Sequence, residues 1–292
     1  VIFIEGAVPG DGADVLITKN KKDWAEGKVV KIKEFSKDRV TPFCIHFGIC
    51  GGCKWQMLPY EKQLEYKEQE VRDVFQRIGK LKNITVLPIL GSEKSVHYRN
   101  KLEFTFSNKK YLTGNELKDL GEDQWPGGAL GYHVPRLYDK ILEIKECWLM
   151  DDVNNRIRNG MREFSEKNNY SYYDIKEHSG FLRNIIIRNC TTGELMVNLV
   201  FGYEDKEKRE AICNYLLQIV PDISTLIYTI NPKWNDSLNE LSPQTFYGKG
   251  YVTEKLGDFN FKISPKSFFQ TNTKQAEVLY NVAKDFAGLT GN

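Results

Sequence analysis

The 292-residue chain reads as an α+β protein of several domains: a partial OB-like β-barrel, a cysteine-rich loop with a helix, a mixed α/β central domain and the start of a further domain. Three observations predict this. Alternating apolar and basic residues mark short strands in the first 40 positions. Period-2 strands and amphipathic helices are mixed along the middle of the chain. Three cysteines, Cys44, Cys50 and Cys53, crowd one loop.

The strands of the first segment, 1–40, are Val15-Leu16-Ile17-Thr18 and Gly27 to Lys33. Pro9-Gly10-Asp11-Gly12 and Lys19 to Asp23 supply the turns. This suits an OB-like barrel that binds RNA; an ordinary half-buried sheet with solvated lysines fits equally well. Segment 41–82 holds the cysteine loop and a helix begun by Pro59 and stopped by Gly79. Tyr60, Leu64, Val71, Val74, Phe75 and Ile78 fall at helical spacing and are expected in the core.

Segment 83–262 is the central domain. Strands are expected at 98–106 and 141–144, and a hairpin joins 181–189 to 195–201 around Thr191-Thr192-Gly193. A helix over 206–219 and a strand over 225–230 come next. Residues 109–128, rich in glycine and polar groups, suit an exposed insertion. The last segment, 263–292, contains a helix capped by Asn272, with Gln275 placed to close a capping box. Ala276, Leu279, Tyr280, Ala283 and Phe286 form its apolar face, and Gly288 ends it.

Lys+Arg is 41 and Asp+Glu is 39, a net charge of +2, so an RNA partner depends on local patches. No run of 18 apolar residues is present, and no membrane partner is expected. The first residues resemble no signal peptide, and their lack of Met suggests that residues precede them. Six cysteines in such a chain fit a reducing cytoplasm and ligands rather than disulfides. A monomer is expected.

Thiolates are soft ligands for zinc or for an iron–sulfur cluster. Gly51-Gly52 is expected to turn the backbone so that Cys50 and Cys53 face one point. Candidates for a fourth ligand are Cys147, Cys190, Cys213 and His46. Cys147 follows a strand, whereas Cys213 sits among apolar helix residues, so Cys147 is chosen. Three near cysteines and one far favour iron–sulfur over zinc, which more often uses paired C-x2-C units.

The string Thr41 to Cys53 resembles the iron–sulfur loop of the ribosomal RNA (uracil-5-)-methyltransferases, and the strands before it resemble the end of their TRAM domain. Tyr98-Arg99-Asn100-Lys101, Ile144 to Cys147, and Ser264-Pro265 through Phe268-Phe269-Gln270-Thr271-Asn272 resemble further motifs of that family. The resemblance covers nearly the whole chain. It implies a [4Fe-4S] cluster on Cys44, Cys50, Cys53 and Cys147, S-adenosylmethionine as methyl donor, and a uridine of RNA, 23S ribosomal RNA first, as acceptor. In such enzymes a cysteine thiolate adds to C6 of a flipped uracil, C5 takes the methyl group, and a carboxylate removes the C5 proton. Gln270 matches a donor-contacting residue. Arg99, Lys101, Lys266 and Phe268 are the candidate RNA contacts; core packing is the alternative for Phe268 and Phe269.

The chain departs from the family's pattern at its end. A Rossmann-like methyltransferase domain should continue with a strand and a glycine-rich turn, but only its first helix is present. The catalytic cysteine and base are expected beyond residue 292, which makes the chain an inactive piece of a longer enzyme. Cys190 and Cys213 suit a nucleophile poorly. The alternative is a non-catalytic, metal-stapled RNA-binding module. An iron–sulfur redox protein is weaker, since no second cluster motif and no flavin or dinucleotide fingerprint is present.

Overall fold

A computed structural model describes residues 1–120 and 127–288. The chain divides into two compact units: Val1–Gly48 with Gly52–Gly91, and Ile49–Gly51 with Ser92–Asn292. The expected segments 1–40 and 263–292 each lie within one unit.

In the first unit, strands β1 (Ile2–Glu5), β2 (Gly12–Asn20) and β3 (Ala25–Glu34) form a sheet in the order β1-β3-β2. The β2–β3 pair is antiparallel and the β1–β3 pair parallel. One ion pair fastens this sheet to the segment after β3. Arg39 Nη2 lies 2.6 Å from Asp11 Oδ2, and Asp11 also accepts from the main-chain N–H groups of Val8 and Ser36.

Helix α1 (Tyr60–Asp73) starts after Pro59 and passes into a single π-helical stretch, Val74–Ile78. Gly79 comes next in right-handed conformation; the left-handed residue is Lys80, at φ 58°. The expected core face is not buried. Val71, Val74 and Ile78 are exposed, Tyr60, Leu64 and Phe75 only half-buried. The buried apolar cluster of this unit is instead Val8, Met57 and Leu58, with Phe47 and Tyr66 against it. Helical spacing gathers apolar residues on one side, but does not say what covers that side.

The second unit is built on a seven-stranded sheet. Its strands are β4 (Lys101–Ser107), β5 (Ala129–Val134), β6 (Leu137–Glu143), β7 (Leu182–Asn189), β8 (Leu195–Phe201), β9 (Ile223–Ile230) and β10 (Gln244–Gly248). Their order is β10-β9-β8-β7-β4-β5-β6. All pairs are antiparallel except β8–β9, whose crossover is helix α4 (Lys206–Ile219). Leu102 and Phe104 on β4, Ile185 and Ile187 on β7, and Val197 and Leu199 on β8 face one side by alternation. They form one core with Ile157 and Met161 of helix α3 (Val153–Lys167) and with Ile212 and Leu216 of α4.

The hairpin expected at 181–201 is present, and α4 has its expected bounds. The strand expected from Tyr98 begins at Lys101, because residues 97–99 bond elsewhere. Within the expected insertion 109–128, helix α2 (Gly114–Asp119) is closed by a capping box between Thr113 and Glu116; positions 121–126 lie outside the described residues. Strands β11 (Val252–Leu256) and β12 (Phe259–Ile263) pair antiparallel. Helix α5 (Thr273–Ala287) comes after them, with Asn272 Oδ1 accepting from Gln275 N–H and Gly288 left-handed. Of its expected apolar face Ala276 is buried, while Leu279, Tyr280 and Phe286 are exposed. Among the described residues no helix is long and apolar enough to cross a membrane.

Candidate functional site

The cysteine loop is shaped by two glycines for different reasons. The left-handed residue is Gly48, at φ 88°, and not the Gly51-Gly52 pair. Gly51 lies close to its neighbours, since a Cβ there would make a tight 3.3 Å contact with both His133 O and Pro135 Cγ. Cys44 N–H donates to Gln56 Oε1 at 3.2 Å, and the Cys44 carbonyl accepts from Phe47 N–H. Cys44, Cys50 and Cys53 are half-buried.

Cys147 is buried and held by its surroundings. Its N–H donates to Asn155 Oδ1 at 2.9 Å, and its carbonyl accepts from Asn154 Nδ2 at 3.3 Å. Both amides belong to the first turn of α3. Arg158, one turn on and fully buried, donates to the carbonyls of Ile144 (2.7 Å) and Lys145 (2.6 Å) and to the side chains of Asn154 and Asn155. The cation therefore fixes the strand end that leads into Cys147. Burial pulls its pKa down to about 10, with Cys147 acting in the opposite sense.

The Cys147 Sγ lies 3.8 Å from Tyr132 Oη, and Cys50 packs against the same core. Burial pushes the Tyr132 phenol far above its usual range, and Cys147 and Cys50 add to the shift. Cys44 and Cys53 belong to the first unit, Cys50 and Cys147 to the second. Among the described residues no three His, Cys, Asp or Glu side chains are gathered so as to hold a metal ion. The four thiols have the donor chemistry that zinc or an iron–sulfur cluster takes.

A second constellation joins residues 97–101 to the entry of α5. His97 is left-handed, at φ 54°. Its N–H and that of Arg99 donate to the carbonyls of Trp148 and Leu149, each at 2.7 Å, so this run lies along the segment after Cys147. Asn100 then turns to the other motif. Its N–H donates to Thr271 O, and its Nδ2 to Gln270 O and Thr273 Oγ1, all at 2.8 Å.

Thr273 Oγ1 donates in turn to Glu254 Oε2 at 2.9 Å, and the buried Glu254 carboxylate also accepts from the N–H groups of Thr191 and Lys255. Arg188 donates to Ser267 O at 3.0 Å. The main chain of 267–273 is thus fixed while Gln270 stays exposed. Phe268 is 84% exposed, whereas Phe269 packs against the cluster of Cys190, Met196, Ile227, Val252 and Ile263. Lys266 is exposed, with Nζ donating to Asn239 O; Arg99 and Lys101 are half-buried.

The linked roles of Asn100, Thr273 and Glu254 are not evident from the sequence. Glu254 leaves a trace there: by alternation it shares the inward side of β11 with Val252. Cys190 and Cys213 are buried thiols pushed up to about 12 by burial, so neither is a ready nucleophile.

No protein-family model matches the chain. It is 47% identical over 296 residues to an uncharacterized RNA methyltransferase of Bacteroides thetaiotaomicron, and 43% identical over 296 residues to one of Porphyromonas gingivalis. Each alignment takes in 100% of this chain and 64% of the relative. An uncharacterized RNA methyltransferase of Chlorobaculum tepidum is 38% identical over 292 residues, 99% of this chain and 60% of that protein. The chain therefore spans less than two thirds of the length of these relatives. Its fold is similar to the crystal structure of the Pyrococcus abyssi tRNA (uracil-54, C5)-methyltransferase in complex with S-adenosyl-L-homocysteine. The TM-score is 0.69 and the identity 25%, over 97% of this chain and 60% of that one.

Proposed function

We propose that the chain is the RNA-handling portion of an S-adenosylmethionine-dependent RNA (uracil-5-)-methyltransferase. The observation that carries this is identity of 47% across the entire chain to a relative named an RNA methyltransferase. The likeness to a tRNA uracil-C5 methyltransferase structure supports uracil C5 as the methylated atom. When bound, S-adenosylmethionine supplies the methyl group. In this reading Gln270 contacts the donor, Phe268 stacks on the flipped base, and Arg99, Lys101 and Lys266 meet phosphates. The Asn100–Thr273–Glu254 network holds the Gln270 segment for that contact. Burial and raised thiols leave Cys190 and Cys213 ill suited to be the attacking cysteine.

The same reading assigns Cys44, Cys50, Cys53 and Cys147 as ligands of a [4Fe-4S] cluster, with zinc as the alternative. The cluster would supply a covalent tie between distant parts of the chain. Ribosomal RNA is the first acceptor to test, and transfer RNA, named for the similar structure, the second.

The test uses protein purified without oxygen. Iron and sulfide in about equal amounts with visible absorption, lost in Cys147→Ser, are the expected result; one zinc per colourless chain would replace the cluster assignment. With labelled donor, the longer protein is expected to methylate a ribosomal or transfer RNA transcript at uracil C5, and this chain alone to give no product. Binding of neither RNA nor S-adenosylmethionine by either protein would overturn the reading.

A further inference from the structure

Residues 231–236 are wrapped around one buried cation. Arg183, 1% exposed, donates from Nη1 to the carbonyls of Asn231 (2.8 Å) and Lys233 (2.6 Å). Its Nη2 donates to Asn235 O (3.1 Å) and to Asp236 Oδ1 (2.7 Å). Asn231 closes the loop on itself, with Nδ2 donating to Asn235 O and Oδ1 accepting from Lys233 N–H. This wrapping fixes the main chain on both sides of Trp234, yet Trp234 is 75% exposed.

A second turn meets this tip. The Asp174 carboxylate accepts from the N–H groups of Lys176 and Glu177, from Asn108 Nδ2 and from Lys109 Nζ, while Asp174 N–H donates to Ser179 O. The closed turn holds His178 left-handed, at φ 53°. The exposed His178 ring lies parallel to Trp234, with centroids 4.6 Å apart and 3° between planes. Two ordered loops thus present a stacked pair of rings that takes no part in the buried core.

We propose that Trp234 and His178 form a stacking platform for an unpaired RNA base. The inference rests on the RNA-methyltransferase reading above. Stacking between a base and an aromatic ring requires an open π-face held in place, and it tolerates any base. Lys233, next to Trp234, and Lys176, two residues before His178, carry positive charge for the sugar–phosphate chain, alongside the acidic Glu177 and Asp236. The carboxylate partners of these lysines, Asp139 at 2.9 Å from Lys176 and Glu240 at 3.7 Å from Lys233, are replaceable by phosphate oxygens.

The experiment measures fluorescence anisotropy of a labelled single-stranded oligouridylate, and of an RNA duplex, on the chain and on Trp234→Ala. The variant is expected to bind the single strand about tenfold more weakly, within the roughly 5- to 150-fold that one lost base–aromatic stack gives. Its salt dependence is expected to stay unchanged, because stacking releases no counterions. Trp234→Phe should recover most of the affinity, and duplex binding should not change. Equal single-strand affinity in Trp234→Ala and the wild-type chain, with unaltered circular dichroism, would overturn the platform and leave the RNA reading standing. An equal loss for duplex and single strand, with a changed salt slope, would also overturn it. Failure of the wild-type chain to bind either probe would instead count against the RNA reading itself, and the platform with it.

Discussion

Arg158 offers a direct test of how the Cys147 turn is held. Its guanidinium is fully buried, and its hydrogen-bond partners among the described residues are two main-chain carbonyls and side-chain amides of α3, with no carboxylate. Arg158→Met removes the fork and keeps much of the side-chain volume. Hydrogen bonds from a charged donor contribute about 1.5–3 kcal/mol each. The two carbonyl bonds then account for roughly 3–6 kcal/mol. Relief of the buried charge, whose pKa burial has pulled down to about 10, offsets part of that. The net loss is about 3 kcal/mol, or ~6–12 °C in the melting temperature of a unit of this size. Arg158→Lys should recover only part, because an ammonium cannot span both carbonyls and both amides. Thermal unfolding followed by circular dichroism gives the stability. Alkylation of Cys147, read by mass spectrometry, reports the turn itself and should quicken in Arg158→Met. A melting shift below ~2 °C together with unchanged Cys147 reactivity would refute the clamp.

The Asp11–Arg39 pair should make the first unit sensitive to acid. Arg39 holds the Asp11 carboxyl well below its usual range, so its stabilisation is complete above the unfolded value of about 3.9 and is lost as pH falls toward the folded one. Asp11→Asn should cost about 3 kcal/mol at neutral pH and flatten that acid limb in urea unfolding; an unchanged limb would show that the pair does not carry it. Cys190 and Cys213, protonated at neutral pH because burial pushes them up to about 12, should resist iodoacetamide until the protein unfolds. Modification of either in the native chain at the rate of an exposed thiol would contradict their assignment as buried, unreactive groups.

Where local chemistry and long-range packing agree, the structure is legible in the sequence. The β7–β8 hairpin alternates with period 2 around a Thr-Thr-Gly turn, and each face of that alternation finds a partner. Helix α5 carries its own signals in Asn272 and Gly288. The face of α1 misleads because its apolar residues share a side that is covered only in part: Tyr60, Leu64 and Phe75 are half-buried, Val71, Val74 and Ile78 exposed. At the cysteine loop Gly51-Gly52 looks like the turn, but the positive φ belongs to Gly48. Composition does not say which glycine needs its freedom for rotation and which lies close to its neighbours. Helix α2 is hidden although Thr113 and Glu116 have capping-box spacing; the glycines around it mask the signal. Four cysteines can be named from spacing and resemblance, but the anchors of Cys147, namely Arg158, Asn154 and Asn155, come from α3 and act through folded geometry alone.

The two faces of the large sheet divide the work between stability and placement. On the side of α3 and α4 the residues are apolar and fully buried, so substitutions there should act on folding. The other side mixes apolar residues, Ile186, Met196, Val200 and Ile227, with buried polar groups: Asn184 and Arg188 on β7, Asn198 on β8, and Thr225 and Thr229 on β9. A buried polar group is costly unless it bonds, so residues of this kind are informative about geometry rather than about hydrophobic driving force. Arg188 holds Ser267 before the exposed Phe268, and Arg183 holds the loop around the exposed Trp234. In both places a buried guanidinium on β7 fixes main-chain carbonyls, and the loop so fixed presents an aromatic ring to solvent. One central strand thus governs both candidate base-stacking positions. Replacing Arg183 should therefore change where Trp234 stands and leave the helix-facing core intact, whereas replacing Ile185 beside it should do the reverse.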